Sequence, residues 1–375
     1  MGNIWPAYRI ALAMLPSNGK ITVSGPKAGE AQRILRRHRC LGATICLFDG
    51  ADARHVLAYG ESSQGVAAGA DTVYRIASVS KLVTAMGAMR LQEMGVLRLD
   101  RDVNAYLPFS LRHPRAPQTP ITLEMLMSHR AAIHDGEVYN NGIGRGALLR
   151  DILAGDSYCS HLPGETWEYS NLGAGIAGAV MEAAAGEDFE TLMQKTVFGP
   201  LQVTATFYPQ KVQGTLADAR RILPPRRQPN FNAAQRRARP LPPSGVDAQR
   251  HYGLAHGNLC ISAPELARLG AALLTPGFLS EESLGAMRKV LCPFGERAHN
   301  LSQGIGTFIL EDRAICPRPL YGHQGMAYGA CHGLFYDVEK QRGLVMLTAG
   351  VSEARRGVLS DVNAEIIRLY MSEDV

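Results

Sequence analysis

Tyr74-Arg-Ile-Ala-Ser-Val-Ser-Lys81 joins a short β-rich segment to a helical one. From Lys81 onward the apolar positions Leu82, Met86, Met89 and Val96 recur near the helical period, and Gly95 supplies a stop signal. A helix therefore begins close to Ser78, and Ser78 and Lys81, three residues apart, share one of its faces. A serine hydroxyl is a poor nucleophile until something takes its proton. A lysine whose ammonium is disfavoured by burial or by nearby positive charge can take it. The start of a helix also points backbone N–H groups toward developing negative charge. The pattern suits acyl transfer. It competes with a plainer reading in which Ser78 only caps the helix and Lys81 is solvated. The tetrapeptide is not rare: a second Ser-x-x-Lys stands at Ser17-Asn18-Gly19-Lys20. That copy carries Asn-Gly, a turn signal that opposes a helix.

Working outward, Ala43 to Phe48 is β-rich and ends at Asp49-Gly50, and His55 to Tyr59 follows before Gly60, which reads as two strands around a turn. Ala31 to His38 reads as a short basic helix upstream. The middle of the chain is mostly helical in pattern: Leu172 to Ala185 is rich in small residues, Phe189 to Val197 is amphipathic, and Ala263 to Leu274 follows Ser262 with Pro264 in its first turn. Strand character returns at Gly306 to Leu310, Gly329 to Tyr336 and Gly343 to Leu347, and Val358 to Tyr370 closes the chain as an amphipathic helix. Strands at both ends with helices between predict an α/β sheet domain with an inserted helical domain. The expected boundaries are 27–80 with 295–375 for the sheet domain and 81–294 for the helical one.

Two further elements carry chemistry. Tyr169-Ser170-Asn171, reached through Pro163-Gly164 and Trp167, offers a phenol that can relay protons to a leaving group and an amide that can hold both a lysine and a substrate carbonyl. Tyr139-Asn140-Asn141 has the same spacing in more loop-like surroundings. His323-Gln324-Gly325 lies before the β-rich segment 329–336. A strand edge with a cation or donor at its start, and a small residue where a substrate backbone approaches, can fix a substrate and supply an oxyanion N–H. His134-Asp135-Gly136 matches that third pattern equally well.

Length and composition set the limits. At 375 residues with 46% hydrophobic residues the chain is globular, and it has no uncharged apolar run long enough for a membrane span. The formal charge is +5, yet the stretch 219–240 alone holds seven arginines and no acid. The remainder of the chain is slightly acidic, so the basic balance gives no expectation of nucleic-acid binding. The Arg/Pro-rich segment 211–250 reads as a solvated loop. Seven cysteines without a C-x-x-C pair fit neither a zinc knuckle nor a redox motif, and no metal or cofactor is expected. The apolar run Ile10 to Leu15 is short for a signal-peptide core, so a cytoplasmic protein is expected. Gly173, Gly175 and Gly178 match a dinucleotide fingerprint in letters. No strand precedes them, and they fit a close-packed helix face better.

In chain order, the three elements resemble the serine β-lactamase and penicillin-binding-protein-like hydrolases, above all the branch of class C β-lactamases, D,D-peptidases and family VIII esterases. The resemblance runs over most of residues 40–370. It includes Phe48-Asp49-Gly50, the run Leu91 to Asp100, Leu107-Pro108, Ile121-Thr122 with Leu126 and His129, Pro163 to Asn171, Gly199-Pro200-Leu201 and Leu259 to Arg268. It implies an antiparallel β-sheet flanked by helices, with the site in a cleft between two lobes. It further implies that Ser78 is acylated, that Lys81 is the general base and Tyr169 the proton shuttle, and that Asn171 contacts Lys81 and the acyl side chain. His323 takes the place usually held by lysine, Gly325 completes that triad, and the N–H groups of Ser78 and Met326 form the oxyanion hole. The implied activity is hydrolysis of esters, amides or D-peptides through an acyl-enzyme. An acyltransferase using the same serine and a slow β-lactam- or peptide-binding module are the alternatives.

The sequence departs from the family at two places. Arg130-Ala131-Ala132 stands where Thr-Ser-Gly is common, and a histidine at 323 gives a less dependable positive charge near neutral pH than lysine does. The second departure tilts the expectation from β-lactam carboxylates toward esters, D-amino-acid amides or D-peptides. The segment 211–250 is also unlike the family's usual connection, which leaves it as a possible cover for the cleft.

Overall fold

The computed structural model describes residues 17–50, 52–143, 145–222, 230–293 and 301–372. Ile10 to Leu15 and part of the arginine-rich stretch, including Arg226 and Arg227, fall outside them. Fifteen strands are found among the described residues: β1 (Ile21–Val23), β2 (Gly42–Asp49), β3 (Asp52–Ser63), β4 (Val66–Ala67), β5 (Val73–Arg75), β6 (Ala205–Thr206), β7 (Cys260–Ser262), β8 (Cys292–Pro293), β9 (Leu301–Gln303), β10 (Phe308–Leu310), β11 (Leu320–Ala327), β12 (Ala330–Asp337), β13 (Arg342–Gly350), β14 (Arg355–Arg356) and β15 (Leu359–Ser360). Five helices position the rest: α1 (Ala28–Arg37), α2 (Val79–Glu93), α3 (Asn171–Ala185), α4 (Ala263–Ala271) and α5 (Asp361–Met371).

The main sheet runs in the order β1-β3-β2-β13-β12-β11-β10-β9-β8, antiparallel at each junction. Its centre is the pairing of β2 with β13, with Ile45 opposite Met346 and Leu47 opposite Leu344, so the two ends of the chain close one sheet. Alternation decides what each face meets. Leu344 and Met346 of β13 pack with Ala31 and Leu35 of α1 and with Ile366 and Ile367 of α5. Val345 and Leu347 point the other way, into the core formed with α2 and α4. Helices cover both faces, which is why β13 is apolar along nearly its whole length rather than alternating with polar residues.

The helical segment between the sheet halves packs through small residues. A Cβ on Gly175 would lie 2.4 Å from the Tyr252 carbonyl oxygen, and one on Gly178 2.5 Å from the Ala255 Cβ. The glycine pattern is thus the close-packed face expected of it, and it lets the short helix Tyr252–Ala255 lie against α3. Amphipathic Phe189 to Val197 forms a helix at Phe189–Met193 that continues as a π-turn at Gln194–Phe198. No helix among the described residues is long and apolar enough to cross a membrane.

Candidate active site

Ser78 occupies the N-cap position of α2, but its side chain makes no capping hydrogen bond. The hydroxyl is engaged elsewhere: Oγ lies 3.0 Å from Lys81 Nζ and accepts from the Tyr169 phenol at 2.8 Å. The cap-only reading of Ser78 therefore fails. The residue before it, Ala77, sits in the left-handed region at φ 49°, a conformation that costs a non-glycine residue energy and turns the chain sharply into the helix. Tyr169 and Asn171 arrive together because Ser170 caps α3, its Oγ accepting from the Gly173 N–H at 2.8 Å.

Lys81 is 4% exposed and its Nζ reaches three acceptors: Ser78 Oγ, Asn171 Oδ1 at 2.8 Å and the His256 carbonyl at 2.8 Å. The last contact follows from the glycine face of α3, which brings the 252–256 turn against α2; Thr84 Oγ1 fastens it by donating to the Ala255 carbonyl at 3.0 Å. Burial pushes the Lys81 ammonium down to about 7, with Asp135 acting against the shift and Arg75 adding to it. A lysine in that range is a competent base near neutral pH. Burial moves the Tyr169 phenol the other way, upward, so it keeps its proton and serves as a donor.

Three contributors were not singled out as site residues from the sequence. Asp135 accepts from Asn171 Nδ2 at 2.7 Å, from the Leu172 N–H at 2.8 Å and from Ser170 Oγ at 3.2 Å. His129 Nδ1 accepts from the Ser170 N–H at 3.2 Å, and its ring lies on Tyr169 at 4.4 Å between centroids. The third is the main-chain carbonyl of His256. Asp135 belongs to His134-Asp135-Gly136, the segment that competed with His323-Gln324-Gly325, and the carboxylate in it is the signal that pattern matching on His and Gly passed over. In the departing segment after His129, both His129 (φ 59°) and Ala132 (φ 55°) are left-handed. Arg130 pins the loop by donating to the Gly164 carbonyl at 2.7 Å.

The third element forms the opposite wall. His323, Gly325 and Met326 all lie in β11, and β10 pairs only with its first part, Leu320 to Gly322. A Cβ on Gly325 would stand 2.3 Å from the Ile76 carbonyl oxygen and 2.9 Å from the Ser78 nitrogen, so the strand comes this near Ser78 because residue 325 is glycine. β11 and β12 are joined by a two-residue turn with φ 57° at Tyr328 and 92° at Gly329. Ala327 and Ala330 flank it, which makes Met326 and Cys331 a pair whose N–H groups point away from each other. The Cys331 N–H does so, donating to Thr348 Oγ1 at 3.0 Å, and by the same alternation the Met326 N–H faces the open edge of β11.

The expectation of a cation or donor at the start of this strand is corrected. His323 lies in mid-strand, 1% exposed and stacked on Phe308 at 4.1 Å, and burial pushes its pKa down to about 3. Nδ1 sits 2.6 Å from the Gln324 carbonyl, a contact that works against the downward shift that burial and the nearby Lys81 produce. The reading of 211–250 as a solvated loop holds for 237–246, which are exposed, but not for its flanks, and none of its described residues lines the cleft. Ala233–Arg237 is a helix, Arg221 pairs with Glu353, and the Arg236 guanidinium lies 5.6 Å from the Phe231 ring and 5.9 Å from that of Tyr328. Arg236 is thereby held beside the β11–β12 turn, while Arg237 donates to the Gly214 and Val212 carbonyls. The open cleft over Ser78 is lined instead by Trp167, Tyr169, Asn171, Phe308, His323, Gln324, Met326, Arg355, Gly357 and Val358. Among the described residues no group of His, Cys, Asp and Glu is arranged to hold a metal ion.

A serine hydroxyl at a helix start, bonded to a buried lysine and a phenol and facing the edge of an antiparallel sheet across a cleft, fits a serine hydrolase of the acyl-enzyme class. The chain belongs to the Beta-lactamase family, whose model matches residues 28–366. Esterase EstB of Burkholderia gladioli is 28% identical, over 87% of this chain and 90% of that one. Penicillin-binding protein 4 of Amycolatopsis lactamdurans is 31% identical, but the match spans only 44% of each chain. Among solved structures, EstCE1, described as a hydrolase with promiscuous acyltransferase activity, superposes with a TM-score of 0.72 at 24% identity, covering 92% of this chain and 97% of that one. At that identity the superposition speaks for the fold.

Proposed function

We propose that this serine hydrolase cleaves carboxylic esters with an apolar acyl group through a covalent intermediate on Ser78. The observation that carries the reading is the pair of hydrogen bonds at Ser78 Oγ, one to a buried lysine and one to a phenol that holds its proton. Neutral Lys81 takes the Ser78 proton as Oγ attacks the carbonyl carbon. The N–H groups of Ser78 and Met326 receive the oxyanion, and Tyr169 protonates the departing alkoxide as the C–O bond breaks, its own proton being replaced from Lys81. Water then attacks the acyl-enzyme, gives up a proton to the same base, and Oγ recovers its proton as the acid leaves.

The substrate class follows from the lining. Trp167, Phe308, Met326 and Val358 offer apolar surface, and among the described residues the charged side chain lining the cleft is Arg355 and no acid does, so the free ammonium of a D-amino-acid amide finds no counter-charge there. The neutral ring of His323 gives a β-lactam carboxylate no cation at that position. EstB, similar along its length, is an esterase by name. A panel of p-nitrophenyl butyrate, D-alanine p-nitroanilide and a chromogenic cephalosporin tests this: kcat/KM is expected to be highest for the ester. Faster turnover of the D-amino-acid amide would overturn the assignment. Adding an alcohol acceptor to the same assay separates hydrolysis from acyl transfer by product analysis.

A further inference from the structure

We propose that Asp135 is a positioning residue for acylation: it fixes the orientation of the Asn171 amide and, through it, aims the lone pair of Lys81 at Ser78 Oγ. The proposal rests on the reading of Ser78 as the nucleophile and goes beyond it by assigning a residue outside the three motifs.

A carboxylate only accepts hydrogen bonds, so the Asn171 NH₂ must face Asp135 and Oδ1 must face Lys81, as the distances of 2.7 and 2.8 Å have it. The amide orientation is thereby forced. Neutral Lys81 has two N–H bonds and one lone pair. Asn171 Oδ1 and the His256 carbonyl are acceptors only, and they take both N–H groups. What remains is the lone pair, directed at the third neighbour, the Ser78 hydroxyl. Asp135 is itself held by the Leu172 N–H and by Ser170 Oγ at the start of α3, so it is a fixed reference for the amide.

Once residue 135 no longer demands two donors, the Asn171 amide can flip and present NH₂ to Lys81. That geometry consumes the lone pair and disfavours the ammonium. Removing the Asp135 charge also disfavours the ammonium. Both effects have the same sign: the protonated form of Lys81 is lost at a lower pH. The other groups around Lys81 are Arg75, the Tyr169 ring at 5.0 Å, and His129, His256 and His323, whose pKa values all lie below the ordinary histidine value. None of the histidines gains charge near neutrality, so the acid limb of the rate profile reports Lys81.

The test is the second-order rate of Ser78 phosphonylation by a fluorophosphonate, and kcat/KM for p-nitrophenyl butyrate, from about pH 5 to pH 9 in wild type and Asp135→Asn. The plateau is expected to fall about ten-fold or more while the acid limb moves down by about half a pH unit or more. A lower plateau with an unmoved limb would show that Asp135 only props the helix start, and a limb that moves up would contradict the mechanism. Asn at 135 still offers an acceptor to the Leu172 N–H, and Ser170 caps α3 independently. Asp135→Ser carries the same expectation should the first variant melt early. Absence of any Ser78 adduct in wild type would instead strike the reading of the site, so the two failures are distinct.

Discussion

The chain contains the same tetrapeptide pattern twice, and the two copies behave differently for visible reasons. In both, a serine hydroxyl pairs with a tyrosine: Ser17 with Tyr59 at 2.7 Å, Ser78 with Tyr169 at 2.8 Å. The amine separates them. Ser17 to Lys20 runs into β1, where residues three apart project to opposite sides, and Lys20 is exposed. Ser78 to Lys81 opens α2, where one turn returns the amine to the hydroxyl and the core takes it out of water. A serine and a phenol alone thus make a hydrogen bond, and the buried amine on the same helical turn is what the proposed nucleophile adds.

Three pairs of substitutions and two single measurements sharpen that contrast. The largest effect is expected from Ser78→Ala, which should reduce ester hydrolysis to the uncatalysed rate, whereas Ser17→Ala should leave kcat/KM unchanged. Next, Lys81→Ala should cost about 10²-fold or more, the scale of general-base catalysis, and Lys20→Ala nothing. In wild type, kcat/KM should rise with pH through about 7 as Lys81 loses its proton, and activity that peaks well below that range would remove Lys81 as the base. Tyr169→Phe should lower kcat by about ten-fold through the lost proton donor, most for substrates with basic leaving groups; Tyr59→Phe should instead cost about 1 kcal/mol of stability, seen in denaturant melts, with activity retained. The smallest effect on rate is expected from Gly175→Ala. Its Cβ would press on the Tyr252 carbonyl, costing about 1–3 kcal/mol of stability and drawing the His256 carbonyl away from Lys81.

Much of this was legible before the coordinates. The helix beginning at Ser78, the strands around Asp49-Gly50 and the glycine face of α3 each rest on local signals, namely period, turn chemistry and small-residue spacing, and the structure has them. The partners of Lys81 were only half legible. Asn171 belonged to a pattern, but Asp135 and the His256 carbonyl come from loops with no local signature, joined to the site by tertiary packing alone. His323 shows the opposite failure. Its residue type made a charge there undependable, and the depth of β11 and the Phe308 ring against it push its pKa far below neutrality.

The most direct test of Ser78 activated by Lys81 is to treat the wild-type protein with a fluorophosphonate at pH 8, digest it, and locate the adduct by mass spectrometry. One phosphonyl group per chain is expected, on the peptide that carries Ser78. An adduct on Ser17, or an unmodified Ser78 after full inactivation, would contradict the account.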